Sequence, residues 1–333
     1  MKNYQVSSNI HESPLAKNTY DLVFSLGEKC SCASSLSASL LREYSCPFDW
    51  VAGASFEQRI DILLNDFNVF FEKDKLELRE WPSKMLQRAS HISYTNKENN
   101  INFTHDFPQN ESSLNLDNVY FPIREKYDRR TNRLLNILNT KNLNILCVYI
   151  QEKIIKILNN EIISLHDKLR QKFKANIDML FVRYEPSFRM DELTLDILTR
   201  GIFIASLNNK HTLDWKCNDR MLSLLLDNIN TKQLLQIKNS SITNALYIYG
   251  AGEIGKAIAG RLARRNIDFN GFIVSDNQEY INNSFGKVYP LKKLPIPYSE
   301  ATVIFALNRQ NMSAVKEYLQ NNGIEFGYAA TKV

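Results

Sequence analysis

Two short segments carry residues whose types and spacing can do chemistry. In SLGEKC (Ser25–Cys30) a cysteine follows an apolar strand and a glycine turn and opens a helix. A thiol at a helix N-terminus sees the positive end of the dipole, which favours thiolate. His105 stands at the end of an alternating strand, in FTHDF. An imidazole there can accept the thiol proton and later donate it to a leaving group. The second segment is LYIYGAGEIGKAIAGRL, where Gly250, Gly252 and Gly255 follow a strand and begin a helix. In this G-x-G-x-x-G pattern Gly250 permits a tight turn, Gly252 lets a phosphate approach the backbone, and Gly255 lets the helix pack on the strand. The helix N-terminus then offers N–H groups to an anion. Asp276, just past the next strand, stands where an acid would meet a ribose.

The elements that position these residues read as α/β throughout. Before residue 241 the spacing predicts strands at 21–26, 100–107, 143–150 and 179–183. It predicts helices at 30–42, 56–71, 127–138 and 154–173, with weaker helices at 193–199 and 221–226. The last 90 residues alternate strand and helix: strands at 245–249, 271–274, 302–307 and 324–328, and helices at 253–265 and 312–322. That alternation implies a parallel sheet covered on both faces. Glycine marks the change of architecture. Gly27, Gly53 and Gly201 precede residue 245, whereas the other eight of the 11 lie between Gly250 and Gly327. Two domains are therefore expected, 1–240 and 241–333, with Lys238–Ser241 as the linker. The Asn-rich stretch 96–102 reads as a surface turn.

Composition excludes several classes. The chain has 333 residues, 44% apolar and 23% charged, enough for a sizeable core without staples. A net charge of +5, unpolarised between the two parts, gives no nucleic-acid footprint. Five cysteines are not a disulfide framework and suit a reduced, cytoplasmic setting. The polar N-terminus lacks the apolar core of a secretory signal, and no run of 18 apolar residues predicts a membrane span.

The motifs SLGEKC, LREYSCPFDW (Leu41–Trp50) and FTHDF, with YDRRTNRLL before an apolar strand, resemble a family of bacterial proteins described as papain-like cysteine peptidases. The resemblance covers residues 20–150. It implies a papain-like α+β thiol domain with Cys30 as nucleophile and His105 as proton carrier. A third residue would orient the imidazole, for which Asp49 of PFDW is the candidate. Asp106, on the opposite face of the strand from His105, is given a structural hydrogen bond instead. The segments YGAGEIGK, GFIVSD, VYPLKKL and VIFAL resemble the short Rossmann-like domains of bacterial sugar acyltransferases and some sugar methyltransferases. That likeness implies a nucleotide or nucleotide sugar rather than a redox cofactor. Its setting would be surface polysaccharide, with an acyl, glycan or other small-molecule substrate.

Blander readings stand beside these. Cys30-Ser31-Cys32 with Cys46 lacks zinc spacing, so no metal is expected. Cys147 reads as core, as do Trp50, Trp81 and Trp215 as core or rim, and Arg129, Arg130 and Arg133 as a solvated helix face. Two other function classes stay open: a scaffold with an inert thiol, and a nicotinamide-dependent oxidoreductase.

Overall fold

A computed structural model of the chain describes residues 4–5, 13–79, 91–108, 115–210, 217–243, 245–276 and 284–331. Trp81 and Trp215 lie outside the described residues. The backbone forms two compact units, Met1–Ser37 with Ser45–Ile229, and Ala38–Tyr44 with Asn230–Val333.

The elements of the first unit are β1 (Tyr4–Gln5), β2 (Leu22–Ser25), α1 (Cys30–Ala38), β3 (Val51–Gly53) and α2 (Phe56–Leu64). They continue with β4 (Leu76–Leu78), β5 (His91–Asn96), β6 (Ile101–Pro108), α3 (Leu116–Leu138) and β7 (Asn144–Ile150). The last are α4 (Asn159–Lys172), β8 (Asn176–Tyr184), β9 (Leu193–Thr199), β10 (Ile202–Leu207) and α5 (Asp219–Leu226). Six strands make one mixed sheet in the order β1-β9-β10-β8-β7-β2. Within it β2, β7, β8 and β10 run parallel, and β9 folds back antiparallel on β10. The strands β2 and β7 are apolar runs buried on both faces, as a covered parallel sheet requires. A second, antiparallel sheet has the order β3-β6-β5-β4. Both sheets fall within the α/β class read from the sequence.

Five local differences have physical causes. The segment 193–199 is a strand, not a helix: Leu193, Leu195 and Ile197 recur with period two. The helix at 56–71 stops at Leu64. Asp66, Phe67 and Val69 take positive φ, and Phe67, Phe70 and Phe71 turn into an aromatic cluster with Phe48, Phe103 and Tyr127. Helix α1 ends at Ala38 because Leu40, at φ 58°, leaves the helical path to pack in the core of the second unit. The Asn-rich stretch does turn, between β5 and β6, but Asn96 is buried and donates to the Val69 and Phe70 carbonyls. Two of the three arginines on α3 are also more than a solvated face. Arg130 lies over the Tyr127 ring and Arg133 donates to the Ser45 carbonyl.

The second unit contains α6 (Lys232–Ile242), β11 (Leu246–Tyr249), α7 (Glu253–Arg264), β12 (Gly271–Val274) and β13 (Val288–Pro290). It closes with β14 (Thr302–Phe305), α8 (Arg309–Asn321) and β15 (Tyr328–Thr331). Five of its strands form one all-parallel sheet, in the order β13-β12-β11-β14-β15. The polar stretch Lys238–Ser241 lies within α6. The final strand begins at Tyr328, because Ile324 and Phe326 pack from a loop against one side of the sheet. Among the described residues no helix is long and apolar enough to cross a membrane.

Candidate functional site

Strand β2 delivers the thiol. Its pairing with β7 sets Ser25 opposite Val148, so residues 26–30 emerge beside residues 149–153. Gly27 makes the turn possible: a side chain there would strike Cys32, Ser25 and the Lys29 carbonyl. Arg59, fully buried on α2, locks the same turn from below. Its Nη1 donates to Leu26 O at 2.8 Å and its Nη2 to Glu28 O and Gly53 O at 2.9 and 2.7 Å. Cys30 then heads α1. It is half-buried, whereas the other four cysteines are buried.

Two buried carboxylates meet this turn. Glu28 Oε2 accepts the backbone N–H groups of Glu152 (2.7 Å) and Lys153 (3.1 Å). Glu152 receives Lys29 Nζ at 2.6 Å and the hydroxyl of Ser31. The thiol does not behave as the helix dipole alone predicts. Burial, and then the Glu152 charge, push the Cys30 pKa up. The helix-start N–H groups and Lys29 pull it down and are outweighed. The resting group is therefore a thiol, not a thiolate. Cys32 and Cys217 are pushed up to about 12, chiefly by burial.

His105 comes from the other sheet. Between β5 and β6 the register shifts, so that residues 104–106 oppose Ser93 alone. Such a bulge re-aims side chains. His105 is exposed as a residue, but its ring is partly covered by Trp50 at 5.9 Å and His91 at 5.8 Å between centroids. Lost hydration, and then His91, hold its pKa below the ordinary histidine value. Asp106 accepts from Lys126 and Tyr127. Asp49 is buried and its Oδ2 accepts the Cys46 N–H at 2.8 Å. The PFDW segment thus touches His105 through Trp50. Among the described residues no hydrogen bond joins His105 to Cys30 or to Asp49.

Sequence reasoning passed over Glu28, Lys29, Arg59 and Glu152. Glu28 and Lys29 were in plain view inside SLGEKC. Glu152 is brought in only by the parallel pairing of β2 with β7, which no local signal announces. Glu28 also lines a cleft of about 610 Å³, with Phe56, Tyr149, Gln151, Lys153 and Lys168 among its walls.

In the second unit Gly250 takes φ 109°, and a side chain there would meet the Ala306 carbonyl at 2.7 Å. A Cβ on Gly255 would collide with the Gly250 carbonyl oxygen. Gly252 differs. It caps α7 with φ −77°, open to any residue, and a Cβ there would meet nothing within 4 Å. Asp276 Oδ1 accepts the Lys292 N–H at 2.8 Å, and its Oδ2 faces Tyr318 Oη at 3.5 Å and Lys292 Nζ at 3.9 Å. Among the described residues no group of three or more His, Cys, Asp or Glu could hold a metal ion.

Cys30 is thus a half-buried thiol at a helix start, close in the chain to the buried acids that meet the carboxyl end of a parallel strand. Residues 21–187 match the family described as "Putative papain-like cysteine peptidase (DUF1796)", and the chain belongs to that family. It is also 30% identical over 128 residues to an uncharacterized protein of Acanthamoeba polyphaga mimivirus, covering 36% of this chain and 57% of that one. The match thus spans little more than half the length of that relative. No solved structure matches the chain.

Proposed function

We propose that the first unit is a cysteine hydrolase in which Cys30 attacks a carbonyl and forms an acyl thioester that water cleaves. The observation that carries this reading is the setting of Cys30: of five thiols it alone is half-buried, and it heads α1 where strand, turn and buried acids converge. His105, neutral at pH 7, is one proton acceptor available to the site, and Asp49 belongs to the loop that reaches it through Trp50. The cleft that Glu28 lines suits the acyl part of a small-molecule or glycan-linked substrate. A hydroxyl or amine acceptor in place of water turns the same thioester into an acyl transfer. The second unit is read as a Rossmann-like module for a nucleotide or nucleotide sugar. The strand order and the open Gly252 turn support this, with Gly250 and Gly255 shaping the turn and Asp276 at its rim. A role in surface-polysaccharide modification follows from joining the two readings.

The test is turnover of a panel of p-nitrophenyl esters and fluorogenic peptides by the full chain. Cys30→Ala is expected to abolish turnover. Activity retained in Cys30→Ala would remove the thiol from the reaction and leave the scaffold reading.

A further inference from the structure

Between β7 and α4 the chain runs through residues 151–158 without helix or strand, yet its backbone is held at several points. Glu28 Oε2 accepts the Lys153 N–H at 3.1 Å, and Gln151 donates to the Ile155 carbonyl. Arg183 Nη2 donates to the Ile157 carbonyl at 3.3 Å, and Glu161 Oε2 accepts the Leu158 N–H at 2.6 Å. With its backbone fixed in this way the loop still leaves Ile154 68%, Ile155 55% and Leu158 44% exposed. Of the 11 large hydrophobic side chains exposed among the described residues, three thus fall within five consecutive positions. Single exposed aliphatic residues are ordinary, whereas a cluster marks a surface that something else covers.

The residues between the aliphatic ones indicate what covers it. Residues 153–160 contain two lysines and no acid. The Lys153 side chain is largely exposed, and Lys156 is exposed with no polar partner among the described residues. Arg183 adds a third cation at the base of the loop. Of the acids on the surrounding walls, Glu28 and Glu161 accept backbone N–H groups, Glu185 holds Ser187, and Glu57 stands on α2. The core of a protein–protein interface is depleted in lysine. A lipid surface takes both residue types together. Aliphatic side chains enter the boundary of the acyl chains, while a lysine stem follows them and its ammonium stays among the phosphates.

We infer that residues 153–158 dock the first unit on an anionic lipid surface, with Ile154, Ile155 and Leu158 entering the acyl boundary and Lys153 and Lys156 meeting headgroup phosphates. Ile155, Lys156 and Ile157 also wall the cleft that Glu28 lines, so docking brings one side of that cleft to the lipid. Attachment of this kind needs no spanning helix and does not depend on the chemistry of Cys30.

The test is co-sedimentation of the full chain with phosphatidylcholine vesicles, with and without phosphatidylserine. Binding should require the anionic lipid and should weaken about fivefold or more as salt rises from about 0.05 M to about 0.5 M, because screening shortens the reach of the lysines. Lys156→Gln should weaken it about fivefold, the share of one cation near a charged surface. Ile154→Ser combined with Ile155→Ser should weaken it about tenfold or more. Both side chains are more than half exposed, so the urea midpoint of that double variant should stay at the wild-type value. Wild type that remains in the supernatant with anionic vesicles at low salt would overturn the inference, a result that needs no variant to fold. Binding indifferent to both phosphatidylserine and salt would overturn it too, as would equal sedimentation by the double variant. If ultracentrifugation without vesicles shows a self-associated wild type that the double variant turns into monomers, and vesicles bind neither, the patch is covered by a second copy of this chain and the inference falls.

Discussion

After Ser25 the chain passes through Leu26–Lys29 into α1, and after Tyr249 it passes through Gly250–Gly252 into α7. Both junctions leave the carboxyl end of a buried parallel strand and start a helix. They are finished in opposite ways. The first is filled by the protein: Arg59 takes up three carbonyls, Glu28 takes up two N–H groups, and Gly27 has side chains or backbone within 3 Å of where a Cβ would stand. The second is left open at Gly252 while being closed tightly at Gly250 and Gly255. A filled junction presents one of its own side chains, here the Cys30 thiol. An open one presents backbone N–H groups and space, which suits a ligand brought from outside. The same strand–turn–helix frame is thus filled by side chains in one unit and left open at Gly252 in the other.

The largest effect should come from emptying the filled junction. Arg59 is fully buried, and burial pulls its pKa down to about 10, so it remains charged at neutral pH. Arg59→Met would leave three buried carbonyls without donors and the nearby acids without their cation. A loss of about 3–5 kcal/mol is expected in urea unfolding of the first unit. A loss below about 1 kcal/mol would mean that the turn is held by its backbone alone, and the contrast with the open junction would disappear.

Gly255→Ala should come next. Its Cβ would run into the Gly250 carbonyl, so strand and helix must separate. Overpacking of this kind costs about 1–3 kcal/mol. The loss should appear as lowered amide-exchange protection in β11 and α7, with β2 and β7 unchanged. An unchanged β11 would show that the helix can shift freely, and that close packing is not what this glycine provides.

These two residues also show what the sequence could and could not reveal. Gly255 was legible, because the G-x-G-x-x-G spacing states its job in six residues, and the surrounding strands and helices fall where their periodicity puts them. The buried Arg59 was not. Nothing in FEQRIDILL marks its arginine as interior, since its three acceptors come from residues 26, 28 and 53. Glu152 was hidden for the same reason, its place depending on the register of β2 against β7. Leu193–Thr199 misled because the adjacent Ile197 and Leu198 blur the period-two spacing of Leu193, Leu195 and Ile197, and the pairing with β10 that makes it a strand lies in the next segment of chain. Helix α3 reached back to Leu116 past Pro122, and a proline inside a helical pattern is ordinarily a stop signal.

A third, smaller difference between the units is in their response to acid. All five histidines lie before residue 212, so the second unit has none. His166 is buried, its Nε2 lies 2.8 Å from Ile177 O, and burial lowers its pKa. With a folded value below the unfolded one, the folded state takes up fewer protons than the unfolded chain in mild acid. Stability is therefore complete above about pH 6.5 and is lost as pH falls below it. One such group gives at most about 1.4 kcal/mol per pH unit. Exchange protection in β8 should weaken between about pH 7 and pH 5.5 and that in β11 should not, and His166→Gln, which keeps a donor for Ile177, should flatten the β8 slope. Equal weakening of both strands would assign the acid response to something other than histidine.

The smallest expected change in stability is the one most informative about the open junction. Gly252 has an ordinary φ and nothing within 4 Å of where a Cβ would stand, so the fold itself gives no reason for glycine there. Gly252→Ala should therefore shift unfolding by no more than about 0.5 kcal/mol, as at an unconstrained surface site. If the space is kept for a phosphate against the backbone, the same position must not accept a bulky side chain, and Gly252→Val should abolish binding while the unit stays folded. Calorimetric titration of the full chain with UDP-glucose, UDP and NAD would read this directly. Binding by wild type that is lost in Gly252→Val makes the turn the ligand site. Equal binding by Gly252→Val puts the ligand elsewhere. Binding of NAD alone favours the redox class over the nucleotide-sugar reading. A stability loss in Gly252→Ala approaching that of Gly255→Ala would mean that the junction is closed after all, and the two turns would then differ only in which residues fill them.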